Sequence, residues 1–112
     1  MDDVFCKIIA GEIKADVVYR DDDFIVIKDI NPQAPVHLLI IPAEHHLNIH
    51  DFKGKETLLG KAFLTADKVA HDMKLEKGYR LILNEGEDGG KLVPHLHIHL
   101  LGGKKLGPKM VR

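Results

Sequence analysis

Three histidines occupy alternate positions in the run Pro94-His95-Leu96-His97-Ile98-His99-Leu100-Leu101. Imidazole exchanges protons near neutral pH, attacks phosphorus and ligates metals, so the spacing of these rings decides what chemistry is open to them. Side chains alternate across a β-strand. Leu96, Ile98 and Leu100 are therefore expected to enter a core, with His95, His97 and His99 together on the other face, roughly 7 Å apart. Three uses of such a row compete. A solvated polar face would ordinarily draw Lys, Thr or Glu. A zinc site needs ligand nitrogens within roughly 4 Å of one another, whereas His95 and His99 start roughly 13 Å apart along a strand. No Cys pair or His-Glu-X-X-His helix adds ligands, so metal ranks second. A phosphoryl group with its ribose and leaving group is extended and suits a row of donors. The Gly89-Gly90 turn upstream adds backbone N–H groups of the kind that cradle oxyanions.

These rings need a scaffold, and the rest of the chain outlines one. Val4 to Ile9 reads as a short helix stopped at Gly11. Val17–Tyr19 and Phe24–Lys28 flank Arg20-Asp21-Asp22-Asp23 as a hairpin with a polar turn. Asn31-Pro32-Gln33-Ala34-Pro35 breaks the chain before Val36–Ile41, whose unbroken apolar character fits a central strand closed by Pro42. From about Lys55 to Met73, Leu58, Leu59, Ala62, Phe63, Ala66, Val69, Ala70 and Met73 recur on one helical face. Tyr79–Leu83 and His95–Leu101 complete about five strands. The sum is α+β: an antiparallel meander with one long helix on one face and one short helix.

The 112 residues are the size of one domain, 45% hydrophobic and 29% charged, which excludes collagen-like and disordered classes. Seventeen acidic against 16 basic residues leave a net charge of -1, so no global field favours nucleic acid or an anionic membrane. The single cysteine, Cys6, has no partner for an internal disulfide, and neither a signal peptide nor an apolar run of roughly 20 residues is evident. A cytoplasmic protein is the expectation.

The string His95-Leu96-His97-Ile98-His99-Leu100-Leu101 resembles the signature of the histidine triad superfamily. Phe5-Cys6-Lys7-Ile8-Ile9-Ala10-Gly11-Glu12-Ile13, Asp29–His37, Ile41-Pro42 with His45, and Asn84-Glu85-Gly86 are similar, in order and spacing, to its Hint branch. The resemblance runs from about residue 4 to Gly103. It implies a homodimer whose two five-stranded sheets join, and hydrolysis of purine nucleoside phosphoramidates without a cofactor or metal. His97 would be the nucleophile forming a nucleotidyl-histidine, with His95 and His99 on phosphate oxygens and His37 extending the proton network. Asp29 would accept the ribose hydroxyls, and Asn84 and the backbone near Gly90 would hold the phosphate or leaving group. Val4, Phe5, Ile8, Ile27, Ile30 and Leu39 would form the base pocket, favouring purines without separating adenine from guanine.

The chain departs from that pattern in places. Leu92 stands three before the triad where the family often has a small hydroxyl residue, Lys91 replaces a common Gln, and Pro94 precedes the triad. Some bacterial relatives carry a Cys-X-X-Cys pair for zinc, but position 3 here is Asp3, so no such metal is expected. The tail lacks the Trp of some relatives, and Lys104, Lys105 and Lys109 either approach a partner subunit's site or form a solvated basic end. His45 is expected to tie a loop, and His46, His50 and His71 to be exposed. Two other functions compete: a nucleotide-binding interaction module with vestigial hydrolysis, and a dinucleoside polyphosphate hydrolase.

Overall fold

A computed structural model describes residues 3–108. The short helix α1 spans Val4–Ile9. Asp3 caps it by accepting the Cys6 N–H at 2.7 Å, and Gly11, at φ 81°, ends it in the left-handed region that favours glycine. Strands β1 (Val17–Arg20) and β2 (Phe24–Lys28) form the expected hairpin, its turn held by Asp21 Oδ1, which accepts the N–H groups of Asp23 and Phe24 at 2.8 Å each. After β3 (Val36–Pro42) come a 3₁₀ turn at Ile49–Phe52 and the long helix α2 (Glu56–Asp72), followed by β4 (Arg80–Leu83) and β5 (Ile98–Gly102). No helix among the described residues is long and apolar enough to cross a membrane.

All five strands pair antiparallel in the order β1-β2-β3-β5-β4. Strict meander order breaks at the end: β5 inserts between β3 and β4, which puts the histidine strand inside the sheet and leaves β4 at an edge. Strands β2 and β3 are covered on both faces, hence their unbroken apolar runs. On one face α2 buries Ala62, Thr65, Ala66, Val69 and Ala70 against Phe24, Val26, Leu38, Ile40, Ile98 and Leu100, the small residues letting helix and sheet approach closely. The other face carries α1, whose Phe5 packs on Ile25, Ile27, Leu39 and Ile41.

Two further sequence expectations need correction. The last strand starts at Ile98 rather than His95, because β4 and β3 supply partners only from Ile98 onward and Leu96 N–H instead donates to His46 O at 2.6 Å. His46 is buried against Phe52, not exposed. The 3₁₀ turn that carries Phe52 was hidden in a segment without helical periodicity, where Asp51 caps it by accepting the Leu47 and Asn48 N–H groups. His50 and His71 are exposed as expected. Lys104 and Lys105 are exposed, and Lys109 lies outside the described residues.

Candidate active site

The inward set of the triad segment is Leu96, Ile98 and Leu100, each 0% exposed, so the two-residue alternation holds even where pairing is absent. On the α1 face, sheet register assembles the remaining groups. His99 lies opposite Leu39 on β3, which lies opposite Ile27 on β2, and His37 is two residues before Leu39. Residues directly opposite in antiparallel strands share a face, so Ile27, Leu39 and His99 form one row. The pairing continues past β2, where Asp29 N–H donates to His37 O at 2.9 Å. Asp29, His37 and His99 thereby meet.

A cavity of about 290 Å³ opens beside this row. Every residue expected in the site except His37 and His95 lines it: Val4, Phe5, Ile8, Ile27, Ile30, Leu39, Asp29, Asn84, Gly90, His97 and His99. Leu92, Val93, Lys28 and Asn31 complete the wall. Ile30 is 91% and Leu92 93% exposed, so these two are rims of the opening rather than core. A larger concavity along β4 and the 104–108 segment collects Lys77, Arg80, Lys104 and Lys105 but no histidine or carboxylate, so volume alone is no guide to the chemistry.

Backbone groups fix the protonation pattern of the rings. His97 Nδ1 lies 2.7 Å from His95 O; a carbonyl only accepts, so Nδ1 bears the proton and Nε2 keeps a free lone pair. Gln33 N–H donates to His37 Nδ1 at 3.0 Å, which places the His37 proton on Nε2. That Nε2–H faces His99 Nδ1 at 3.0 Å and Asp29 Oδ2 at 3.3 Å. His99 Nδ1 therefore accepts, and the ring carries its proton on Nε2. Burial, reinforced by the neighbouring His97 and His37, pulls His99 down to about 4; burial, with Lys91 and His95 adding to it, also lowers His97. Both rings are neutral at pH 7.

The loop after β4 is shaped by contacts of its own. Asn84 Nδ2 donates to Gly89 O at 2.7 Å, and a side chain at Gly89 would collide with the Glu85 carbonyl. Gly90 N–H is already engaged by Glu87 O at 3.0 Å, so Gly90 contributes room to the cavity rather than a donor. Lys91, its side chain 6% exposed, anchors the loop from behind through Leu47 O, Asn48 Oδ1 and Glu85 Oε1.

The third triad ring points elsewhere. His95 is fully buried, and Phe5 stands edge-on to both His95 and His97, with ring centroids 5.8 and 5.0 Å away. His95 Nε2 donates to Pro42 O at 3.0 Å, and on the other side of the ring Nδ1 meets Asp3 Oδ2 at 3.1 Å and Cys6 Sγ at 3.7 Å. His45 Nδ1 joins them, 3.0 Å from Asp3 and 3.4 Å from Cys6. Although no histidine adjoins Cys6 in sequence, two do in space. Against the cost of burial, the Cys6 N–H and His95 hold the Asp3 carboxyl below its ordinary value, while burial pushes the Cys6 thiol up.

Two clusters have donors close enough for a metal, Asp3–Cys6–His45–His95 and Asp29–His37–His99. The first fits a divalent ion. Four of its separations, 3.0–3.7 Å, lie around the edges of a tetrahedron of zinc–nitrogen and zinc–sulfur bonds, roughly 3.3–3.6 Å, and the Pro42 carbonyl on the far nitrogen of His95 is the usual outer partner of a ligating imidazole. The second does not fit, because His37 Nε2 holds the ring proton while Nδ1 accepts from Gln33.

The HIT domain family matches residues 10–106 of the chain. An uncharacterized HIT-like protein of Chlamydia trachomatis is 48% identical, covering 96% of this chain and 97% of the relative. The purine nucleoside phosphoramidase of Escherichia coli is 45% identical, covering 96% and 92%. Among solved structures, a HIT family hydrolase from Clostridium thermocellum superposes with a TM-score of 0.92 at 49% identity, covering 98% and 97%.

Proposed function

The chain belongs to the HIT domain family, and from that premise we propose that it is a purine nucleoside phosphoramidase, cleaving the P–N bond of adenosine-type 5′-phosphoramidates through a nucleotidyl-histidine. The observation that carries this reading is the hydrogen bond from His97 Nδ1 to the His95 carbonyl, which leaves an unprotonated Nε2 for the cavity that His97 lines.

Val4, Phe5, Ile8, Ile27, Ile30 and Leu39 hold the base by stacking and apolar contact, with few polar groups to separate adenine from guanine. Asp29 accepts the ribose hydroxyls. His97 Nε2 attacks the α-phosphorus, the P–N bond breaks, and the amine departs with a proton from water or the His37–His99 pair. The imidazolium formed is stabilised through Nδ1–H by the His95 carbonyl. Neutral His99 donates Nε2–H to a phosphate oxygen. Water then attacks phosphorus and His97 leaves, releasing a nucleoside monophosphate. His95 acts behind this chemistry, its carbonyl orienting His97. A divalent ion at Asp3, Cys6, His45 and His95 would tie the N-terminal turn to the triad; no step above depends on it.

A homodimer belongs to the same reading. The edge strand β4 exposes Ile82, and α2 exposes Phe63 and Leu64, at 42% and 71%, as surface for a second copy.

Mass spectrometry of protein quenched during turnover of an adenosine phosphoramidate is expected to find a nucleotidyl adduct on His97. His97→Ala is expected to lose turnover by on the order of 10³-fold or more while nucleotide binding persists. Nucleotide binding by the wild type without cleavage would transfer the case to an interaction module. Cleavage confined to dinucleoside polyphosphates would transfer it to that class of hydrolase.

A further inference from the structure

The His37 proton has two acceptors. Gln33 N–H pins the ring in the tautomer with hydrogen on Nε2, and this one hydrogen faces His99 Nδ1 at 3.0 Å and Asp29 Oδ2 at 3.3 Å. The His37 side chain is 5% exposed and that of Asp29 18%, so water scarcely competes. A carboxylate is the stronger acceptor and a neutral imidazole the nearer one, so the two contacts are closely balanced. Asp29 is itself held: its Oδ1 accepts Asn31 N–H at 2.8 Å, leaving Oδ2 for His37.

We propose that Asp29 and His99 compete for the single Nε2 proton of His37, so that a ribose diol occupying Asp29 releases this proton to His99 and raises turnover. The proposal rests on the phosphoramidase reading and on the ribose lying at Asp29. Two hydroxyls donating to Asp29 spread its negative charge and weaken its hold on His37. His37 Nε2–H then bonds fully to His99 Nδ1, and a ring that accepts at one nitrogen donates more strongly from the other. His99 Nε2–H thereby stabilises charge on the phosphate better when the sugar is in place. Asp29 is on this account a positioning residue for His99 as well as a contact to the sugar, and sugar recognition is expressed in the chemical step and not only in binding.

The test compares adenosine 5′-phosphoramidate with its 2′,3′-dideoxy analogue on the full chain at saturating substrate. The dideoxy compound is expected to lower kcat about tenfold besides raising KM, and in His37→Asn the two kcat values are expected to converge. Equal kcat values with a change in KM alone would overturn the proposal. A second readout needs no turnover: nitrogen-15 NMR of the His99 ring with saturating AMP or 2′,3′-dideoxy-AMP. A His99 Nδ1 shift toward stronger hydrogen bonding with AMP alone supports the competition, and equal responses, or none, refute it. Should neither phosphoramidate be cleaved, the phosphoramidase reading fails and the NMR comparison decides the competition separately.

Discussion

The ammonium of Lys91 and the carboxylate of Glu85 face each other at 3.1 Å behind the cavity loop. The same ammonium reaches Leu47 O and Asn48 Oδ1, and Glu85 Oε2 accepts Ile49 N–H at 3.2 Å, so the pair rivets the loop to the 3₁₀ turn. Lys91→Met keeps much of the apolar stem but strands these acceptors, two of them on the backbone or a side-chain amide. The expected cost is about 1–3 kcal/mol, read as a lower urea midpoint at unchanged m-value. An unmoved midpoint would show that the rivet contributes nothing.

Leu92 stands on the cavity rim, almost fully exposed, and on the phosphoramidase reading a hydroxyl in its place would assist the departing amine. An aliphatic side chain neither donates nor accepts, so turnover is expected to be slower than in a hydroxyl-bearing variant. Leu92→Ser should raise kcat severalfold, below the roughly 10²-fold at which full general acid catalysis begins. A rate that stays the same or falls would show that the amine leaves by another route.

Acid should destabilise the fold through His99. The folded chain keeps this ring neutral down to about 4, whereas an unperturbed histidine takes its proton near 6.5. Between those values the unfolded chain binds more protons, so stability falls as pH falls through that window and gains nothing from this ring above it. Thermal unfolding from pH 7 to 4 should show a declining Tm, and His99→Asn should flatten the decline. Parallel slopes for the two proteins would exclude His99 as the source.

Zinc or cobalt should bind the Asp3–Cys6–His45–His95 cluster at one equivalent per chain. Cobalt(II) would report the Cys6 thiolate by a near-ultraviolet charge-transfer band, absent in Cys6→Ser and weakened in Asp3→Ala. Binding to the folded state alone would add about 2.7 kcal/mol at a hundredfold excess over Kd. No band, no bound metal by elemental analysis and an unchanged Tm would together dismiss the site.

Much of the scaffold is visible in local pattern. The apolar runs of β2 and β3, the 3.6-residue period of α2 and the alternation around Leu96, Ile98 and Leu100 each reflect a face that must be buried, and burial leaves a periodic trace. The order of β5 and β4 leaves none, since it depends on pairing across the chain. His95 shows the same limit. Its place in the alternation is correct, yet its ring turns to Pro42 O and Asp3, contacts separated by 53 and 92 positions. Asp3 reads locally as a helix cap, which it is, and its second role beside two histidines exists only once α1 has docked on the sheet. Ile30 and Leu92 illustrate the converse: both are apolar enough for a core, and local pattern alone does not show that they stand almost fully exposed at the rim of an opening.

Phe5 separates two groups of titratable rings that are neighbours along the chain. Its ring offers no proton for a relay between them, yet their charges stay coupled through it, since His95 adds to the lowering of His97. A cut to a small side chain at this position would leave room for water between the cavity rings and the acidic corner beneath α1. The N-terminal turn thus serves two neighbourhoods at once, lining the cavity on one side and closing over His95 on the other.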